Sequence, residues 1–313
     1  MSGTWRIGTR GSALARAQSE TVAAALRLAS GRDVELVEIS TYGDRSPEPL
    51  ATIGGTGVFA SALRDALRAG TVDVAVHSYK DLPTAAPIGL EVLAVPARED
   101  PRDALVTRDN RTLAELPSGS TVGTGSPRRA AQLRLLGLAL EVVDIRGNVD
   151  TRLRAVAAGS VDAVVLARAG LARLGRLDVI SETLDPLQML PAPAQGALAV
   201  EAATTAGPEL RRALESLEDP SARAAVEAER AILAALEAGC SAPIGALAEV
   251  AEGENGPEIY LRAVVADLDG SAALRRSITG PVHEAADLGR RLASDLLADG
   301  AADIALALSG RQI

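Results

Sequence analysis

Short apolar strands alternate with amphipathic helices in two successive sets, and this alternation limits the possible folds more than any other feature. The first set predicts a strand over residues 5–9, a helix over 12–28 and a strand over 34–40. The second set opens with a strand at 121 and a helix over 127–136. Because such alternation builds parallel sheets covered by helices, we predict two α/β lobes of similar plan.

Two irregular stretches divide the chain. The charged run 98–103 follows the first set, and the proline-rich run 190–196 follows the second. A strand after the second run could return to the first lobe, so that two crossing segments would form a hinge. A later helix and three strands, with the turn signal Asp269-Gly270, predict a small α+β domain. The expected domains are lobe 1 (1–98 and 195–216), lobe 2 (102–191) and a C-terminal domain (220–313).

Composition excludes several classes of function. The 313 residues carry a net charge of -9 and only 2% aromatic residues, which disfavours a nucleic-acid-binding protein. The polar N-terminus does not resemble a signal peptide, and no apolar run approaches bilayer length. A single cysteine forms no internal disulfide and agrees with a reducing compartment. We therefore expect a soluble cytoplasmic protein that does not bind membranes.

Arginines recur where predicted strands lead into helices. Lys80 is the single lysine among 32 Lys and Arg residues, so every other one is arginine. Three such junctions contain Arg10, the pair Arg128 and Arg129, and Arg146 with Arg152. Helix N-termini favour anions, and arginine forks bind carboxylates through two hydrogen bonds. Any one of these arginines can be a solvated first-turn residue, but their recurrence favours a polyanionic ligand.

Two short segments carry the remaining chemistry. Asp81 directly follows an apolar strand and the cation Lys80, as expected of a functional carboxylate at a strand end, although a turn-capping role is the alternative. His77 is interpreted as an ordinary strand residue, and the two histidines show no metal-ligand spacing. Cys240 follows a helix end, where the dipole does not activate a thiolate. It is either a small buried residue or a permanent attachment point.

The glycine-rich stretch 54–59 lacks the Lys-Ser/Thr ending of a phosphate-binding loop, so we reject a nucleotide site there. It ends at Phe59, the single phenylalanine, after a polar stretch that is typical of a loop. Phe59 is either part of a lid over the ligand or a core residue at a helix start.

Motifs along nearly the whole chain resemble those of the porphobilinogen deaminase family. They are Thr9-Arg10-Gly11-Ser12, His77-Ser78-Tyr79-Lys80-Asp81-Leu82-Pro83, Arg98-Glu99-Asp100-Pro101-Arg102-Asp103-Ala104, Arg128-Arg129, Arg146-Gly147-Asn148-Val149, Gln195-Gly196-Ala197 and Gly239-Cys240-Ser241-Ala242-Pro243-Ile244-Gly245. The resemblance implies two lobes like those of periplasmic binding proteins and a third domain with the cysteine. It also implies a monomeric transferase of tetrapyrrole (haem) biosynthesis that joins four porphobilinogen molecules into hydroxymethylbilane and releases ammonia.

The resemblance further implies residue roles. Cys240 would hold a dipyrromethane cofactor through a thioether, and Asp81 would hydrogen-bond pyrrole N–H groups and stabilise the substrate cation. The implied cofactor contacts are Lys80, Asp81, Thr124, Ser126, Arg128 and Arg129. The implied substrate contacts are Arg10, Ser12, Phe59, Arg146, Arg152, Arg173 and Gln195. No metal is implied.

The chain departs from the family pattern at two places. Thr56 stands where many members have lysine, and Gly125-Ser126-Pro127 stands where many have Ser-Ser-Leu. Two other classes of protein would explain part of these features. A non-catalytic two-lobed anion-binding protein would not need Cys240, and a cysteine-dependent acyl-transfer enzyme would need a histidine base near it.

Overall fold

The computed structural model describes residues 3–40, 58–237, 242–254 and 256–304. Within these ranges, the first part of the chain forms two helices and four strands. They are β1 (Trp5–Thr9), α1 (Ala13–Ser30), β2 (Val34–Glu38), α2 (Val58–Arg68), β3 (Val74–Ser78) and β4 (Leu90–Ala94). The predicted strand–helix–strand start is therefore confirmed.

The middle of the chain repeats this alternation. Its elements are β5 (Asp103–Thr107), β6 (Thr121–Gly123), α3 (Pro127–Leu135), β7 (Glu141–Val143), α4 (Val149–Ala157), β8 (Ala163–Ala167), α5 (Arg168–Arg173) and β9 (Glu182–Thr183). Strand β5 was missed by the sequence analysis, which took its first residue, Asp103, as part of a charged junction. All five residues of β5 are buried.

The last part of the chain begins with a returning strand. Its elements are β10 (Leu198–Ala203), α6 (Pro208–Glu215), α7 (Pro220–Ala235), β11 (Ile244–Gly253), β12 (Gly256–Ala266), β13 (Ala273–Pro281) and α8 (Ala285–Ala298). Strand β10 pairs antiparallel with β3 and β4, which confirms its return to the first sheet. Strands β11, β12 and β13 form an antiparallel sheet.

Local sequence signals explain where the first helix begins and ends. Ser12 caps α1, because its Oγ accepts a hydrogen bond from the Ala15 amide at 3.2 Å. Gly31 ends the helix with a φ of 68°, in the left-handed region that favours glycine. Between these caps, Val22 and Leu26 bury the apolar face of the helix against the first sheet.

The two five-stranded sheets share one plan. Their strand orders are β2-β1-β3-β10-β4 and β7-β6-β8-β5-β9. In each sheet three parallel strands are followed by an antiparallel fourth strand, β10 or β5. The sequence prediction of two α/β lobes with similar architecture and a small α+β domain is thus confirmed.

The chain forms two compact units. One unit contains Met1–Glu99 with Ala197–Arg223, and the other contains Asp100–Gly196 with Ala224–Ile313. Within the second unit, Ala131 of α3 packs in one cluster with Leu247 and Val264 of the C-terminal sheet. The boundaries of the three predicted domains stay a prediction. Over the described residues, no helix combines the length and apolarity required to cross a bilayer.

Candidate functional site

The first lobe places a lysine and an aspartate immediately after a buried strand. Strand β3 ends at Ser78, and Tyr79–Asp81 form one turn of 3-10 helix. The Tyr79 amide donates to the Ala197 carbonyl at 3.0 Å, which fixes the start of this turn. Lys80 is half-buried and Asp81 is exposed. The turn therefore presents a carboxylate to solvent from a rigid strand end.

A pocket in the first lobe connects this turn to the first arginine junction. Its polar lining is Arg10, Gln18, His77, Ser78 and Asp81. The Gln18 Nε2 atom donates to Ser78 Oγ at 2.9 Å, so α1 and β3 are joined at the pocket wall. Arg10 and Asp81 were both predicted as site residues, and the structure brings them to one pocket. Ser12 lies at the adjoining helix start, where its side chain is engaged as the α1 cap.

A buried ion-pair cluster lies behind this pocket. Arg64 of α2 donates from Nε to Glu201 Oε2 at 3.0 Å and from Nη2 to Glu201 Oε1 at 2.9 Å. His77 Nε2 lies 3.3 Å from Glu201 Oε2. Burial raises the pKa of Glu201, but its contacts with His77 and Arg64 outweigh burial and hold that pKa below the usual 4.5. Glu201 is therefore a buried carboxylate ion with two partners.

The second lobe contains a larger buried cluster at the start of β5. Arg128 donates from Nη1 to Asp103 Oδ2 at 2.8 Å, and Arg129 donates from Nε and Nη2 to Asp103 Oδ1 at 3.0 and 2.8 Å. All three side chains are at least nine-tenths buried. Gln195 Nε2 donates to Asp103 Oδ1 at 2.8 Å and completes the cluster. The predicted residues Arg128, Arg129 and Gln195 therefore meet around a carboxylate.

The electrostatics of this cluster leave a positive excess. Burial raises the pKa of Asp103, but the charges of Arg128 and Arg129 and their hydrogen bonds outweigh it and hold that pKa far below its usual value. Two guanidinium groups thus face one carboxylate ion. Arg128 Nε is buried and finds no hydrogen-bond partner among the described residues.

Helix α3 begins beside this cluster. Ser126 is the N-cap residue and Pro127 follows it, but the Ser126 side chain makes no capping hydrogen bond. The Ser126 amide donates to Thr124 Oγ1 at 3.2 Å. A Cβ atom at Gly125 would lie only 2.9 Å from the Ile145 carbonyl oxygen, so the strand end needs glycine for this close approach.

Three further predicted arginines lie in the second compact unit. Arg152 Nε donates to the Gly147 carbonyl, and burial and the nearby charge of Arg129 lower the pKa of Arg152 below its usual value. Arg146 Nε lies 3.4 Å from Asp144 in an exposed ion pair. Arg173 Nη2 donates to the Gly196 carbonyl at 2.6 Å. Arg152 is thus the one whose electrostatics link it to the buried cluster around Arg129.

Some predicted features fall outside the described residues. Cys240 and Thr56 are among them, as is the stretch 41–57 that was interpreted as a loop or lid. Phe59 lies in the first turn of α2, and its two interpretations stay open. Among the side chains that the structure describes, no three His, Cys, Asp or Glu residues group as a metal site.

Sequence reasoning missed two buried carboxylates that bind arginines, Asp103 and Glu201. Asp103 stood in a charged motif and received no role, although the apolar residues 104–106 after it are a strand signal. Glu201 lies in a strand that was predicted, but a single acid at its end gives no sign of its partners. Both acids find their arginines only through tertiary contacts.

The fold and the two ion-pair clusters define a class of protein. It has two α/β sheets of similar topology, arginine-rich strand ends and a C-terminal three-stranded domain. Comparison with known families then supplies the identity. The profile "Porphobilinogen deaminase, dipyromethane cofactor binding domain" matches residues 5–208, and the profile of the C-terminal domain of the same family matches 223–298. The chain belongs to the porphobilinogen deaminase family.

Curated relatives agree with this assignment. A porphobilinogen deaminase of Mycobacterium tuberculosis is 59% identical over 304 residues, covering 96% of this chain and 97% of the relative. "Porphobilinogen deaminase 1" of Streptomyces coelicolor is 58% identical over 308 residues, with 96% of each chain covered.

Solved structures of similar fold include a periplasmic substrate-binding protein of a Coxiella burnetii ABC transporter. It is 14% identical and covers 70% of this chain and 94% of its own, with a TM-score of 0.44. The methionine-binding protein MetQ is 13% identical and covers 68% of this chain and 94% of its own, with a TM-score of 0.40. The fold class of this chain follows from the sheet topology described above.

Proposed function

We propose that this chain is a transferase that joins four porphobilinogen molecules head to tail into hydroxymethylbilane and releases four molecules of ammonia, within tetrapyrrole (haem) biosynthesis. The observation that carries the proposal is the family match, with 59% identity to a porphobilinogen deaminase over 96% of the chain. The arginine junctions and the Asp81 turn agree with it, because each substrate brings two carboxylates and forms a cation on losing ammonia.

The cluster around Asp103 fits the acidic side chains of a dipyrromethane. Two arginines against one carboxylate leave a positive excess, and Arg128 Nε is a buried donor without a described partner. Buried arginine is the residue best suited to hold a carboxylate in this setting. The residues proposed to hold the cofactor are Lys80, Asp81, Thr124, Ser126, Arg128 and Arg129.

Cys240 would anchor the cofactor through its sulfur as a thioether. When bound, the dipyrromethane supplies the nucleophilic carbon to which the first substrate is joined. A covalent anchor keeps that carbon at high effective concentration for every round. The anchoring thiol has to stay reduced until it is alkylated, which suits a cytoplasmic enzyme.

Asp81 would be the catalytic carboxylate. It would accept hydrogen bonds from the pyrrole N–H groups and stabilise the cation left when the substrate loses ammonia. Its support is its position, since it is exposed in the same pocket as the cation Arg10. The remaining residues proposed to bind substrate carboxylates or line the site are Arg10, Ser12, Phe59, Arg146, Arg152, Arg173 and Gln195.

The two other classes have weaker support. A non-catalytic anion-binding protein is disfavoured because the family match extends through the C-terminal domain, over residues 223–298. A cysteine-dependent acyl-transfer enzyme is disfavoured because the profile of a dipyromethane cofactor binding domain matches residues 5–208. We also propose that the enzyme works as a monomer without nucleic-acid or membrane partners.

Replacement of Asp81 by asparagine tests the proposed chemistry. Purified Asp81→Asn should keep the fold and the attached cofactor while steady-state formation of hydroxymethylbilane from porphobilinogen falls by about two orders of magnitude or more. Asp65→Asn is the matched control, because Asp65 is an exposed acid of the same lobe paired with Arg68. Normal turnover by Asp81→Asn would remove Asp81 from its role.

A further inference from the structure

Glu201 lies behind the pocket of the first lobe and does not line it. The pocket wall includes His77, and helix α2 contributes Ala60 and Leu63 to the same wall. Glu201 reaches that wall at two residues, because its carboxylate lies 3.3 Å from His77 Nε2 and binds Arg64 of α2. One buried carboxylate therefore connects two elements that shape the pocket around Asp81.

The geometry of these contacts is well suited to fixing positions. Arg64 uses Nε and Nη2 together on the Glu201 carboxylate, a two-point contact that sets orientation as well as distance. Glu201 is fully buried in β10, and the backbone of β10 pairs Ala199 with His77 and Glu201 with Ala75. The backbone that carries this carboxylate is thus fixed in the sheet next to the strand that contains His77.

We propose that Glu201 is a positioning residue for the reaction, which holds His77 and helix α2 so that the pocket wall beside Asp81 keeps its shape. This proposal rests on the proposed function. The position of Glu201 supports it, because the side chain is fully buried and is not part of the pocket lining, so it makes no contact with a substrate there. Its contribution is then geometric, and a displacement of about 1 Å at a reacting group can cost about a hundredfold in rate.

The test uses Glu201→Gln, which keeps the size of the side chain but loses the charge and the two-point contact with Arg64. Glu91→Gln is the matched control, because Glu91 pairs with Arg211 in the same lobe and lines no part of the pocket. We expect kcat of Glu201→Gln to fall about tenfold or more, while KM changes less than about twofold. This is the result expected when the pocket wall is displaced at the reacting group but substrate binding is kept. Glu91→Gln should match the wild type.

A spectroscopic readout separates positioning from a general loss of stability. The chain has two histidines, so a protein labelled with ¹⁵N in histidine gives two imidazole signal sets, and His283→Gln assigns them. The His77 signals should shift in Glu201→Gln and stay in place in Glu91→Gln. Unchanged His77 signals, a kcat within about twofold of wild type, or a loss carried wholly by KM would each overturn the proposal.

Arg64→Lys covers the case in which Glu201→Gln does not fold. It keeps the positive charge and loses the fork, so the same shift of the His77 signals and a smaller fall in kcat are expected. If Arg64→Lys leaves both unchanged, the proposal fails. Failure of the proposed function is distinguishable, because a wild-type protein that makes no hydroxymethylbilane would still give the His77 shift.

Discussion

The fourth strand in the order of each lobe's sheet carries a buried carboxylate. The two carboxylates lie at different distances from the corresponding edge of otherwise equivalent sheets. Asp103 opens β5 and pairs with Ala167, the last residue of β8. Glu201 lies inside β10 and pairs with Ala75, near the beginning of β3. Asp103 is therefore at the sheet edge where the strands lead into arginine-bearing helices, whereas Glu201 is set back from that edge.

The side chains that bind the two carboxylates also differ. Asp103 holds two arginines from the first turn of α3, so its cluster keeps one positive charge in excess. Glu201 binds one arginine, Arg64, and lies 3.3 Å from His77 Nε2. The position of each carboxylate along its strand thus goes with its proposed role. Asp103, at the edge of the sheet, holds cations for a ligand, while Glu201, further from that edge, fixes the protein around Asp81.

Loss of the Asp103 charge should have the larger effect on stability. Asp103→Asn leaves two buried guanidinium groups without their counter-ion, and breaking such a buried pair costs about 3 to 5 kcal/mol. Urea unfolding of the purified variant measures this loss. Asp150→Asn is the control, because the exposed pair of Asp150 with Arg176 contributes less than about 1 kcal/mol. Equal effects of the two substitutions would contradict the account.

Loss of the Glu201 charge should destabilise less. The Arg64 side chain keeps 11% exposure, so its guanidinium can turn toward water when the carboxylate is gone, which the buried arginines of the other cluster cannot do. We expect Glu201→Gln to cost about 2 kcal/mol in the same urea experiment. A cost above that of Asp103→Asn would reverse the comparison of the two lobes.

Acid should remove the two contributions in sequence. Both carboxyl pKa values are lower in the folded protein than in the unfolded chain, so each contribution is complete at neutral pH and declines only below the unfolded pKa. That decline should begin below about pH 4.5 for Glu201 and below about pH 3.8 for Asp103. Urea curves of wild type and variants at stepped pH give each difference, and a difference that grew as pH fell would contradict the assignment.

The sequence predicted most of the scaffold because its signals are local. Ser12 and Pro127 mark helix starts through their own backbone preferences, and the structure has helix starts at those places. Strand β5 was missed because an aspartate such as Asp103 is typical of a loop. Its burial in a strand depends on the ion pairs with Arg128 and Arg129. Glu201 gave no local sign for the same reason, since its partners Arg64 and His77 are far away in sequence.

The candidate site was predicted at the level of motifs and junctions rather than contacts. Arg10 and Asp81 do reach one pocket, and Arg128, Arg129 and Gln195 do meet. Sequence periodicity could not predict that Arg128 and Arg129 share the Asp103 carboxylate. Asp103 lies at the start of β5, which runs antiparallel to its neighbour β8.

The central claim is that Cys240 anchors a dipyrromethane on which the product is built, and intact mass spectrometry of the freshly purified protein tests it most directly. The native protein should be heavier than its sequence by two linked pyrrole units, and Cys240→Ser should lose that addition. A native protein whose mass equals that of the bare sequence would contradict the account.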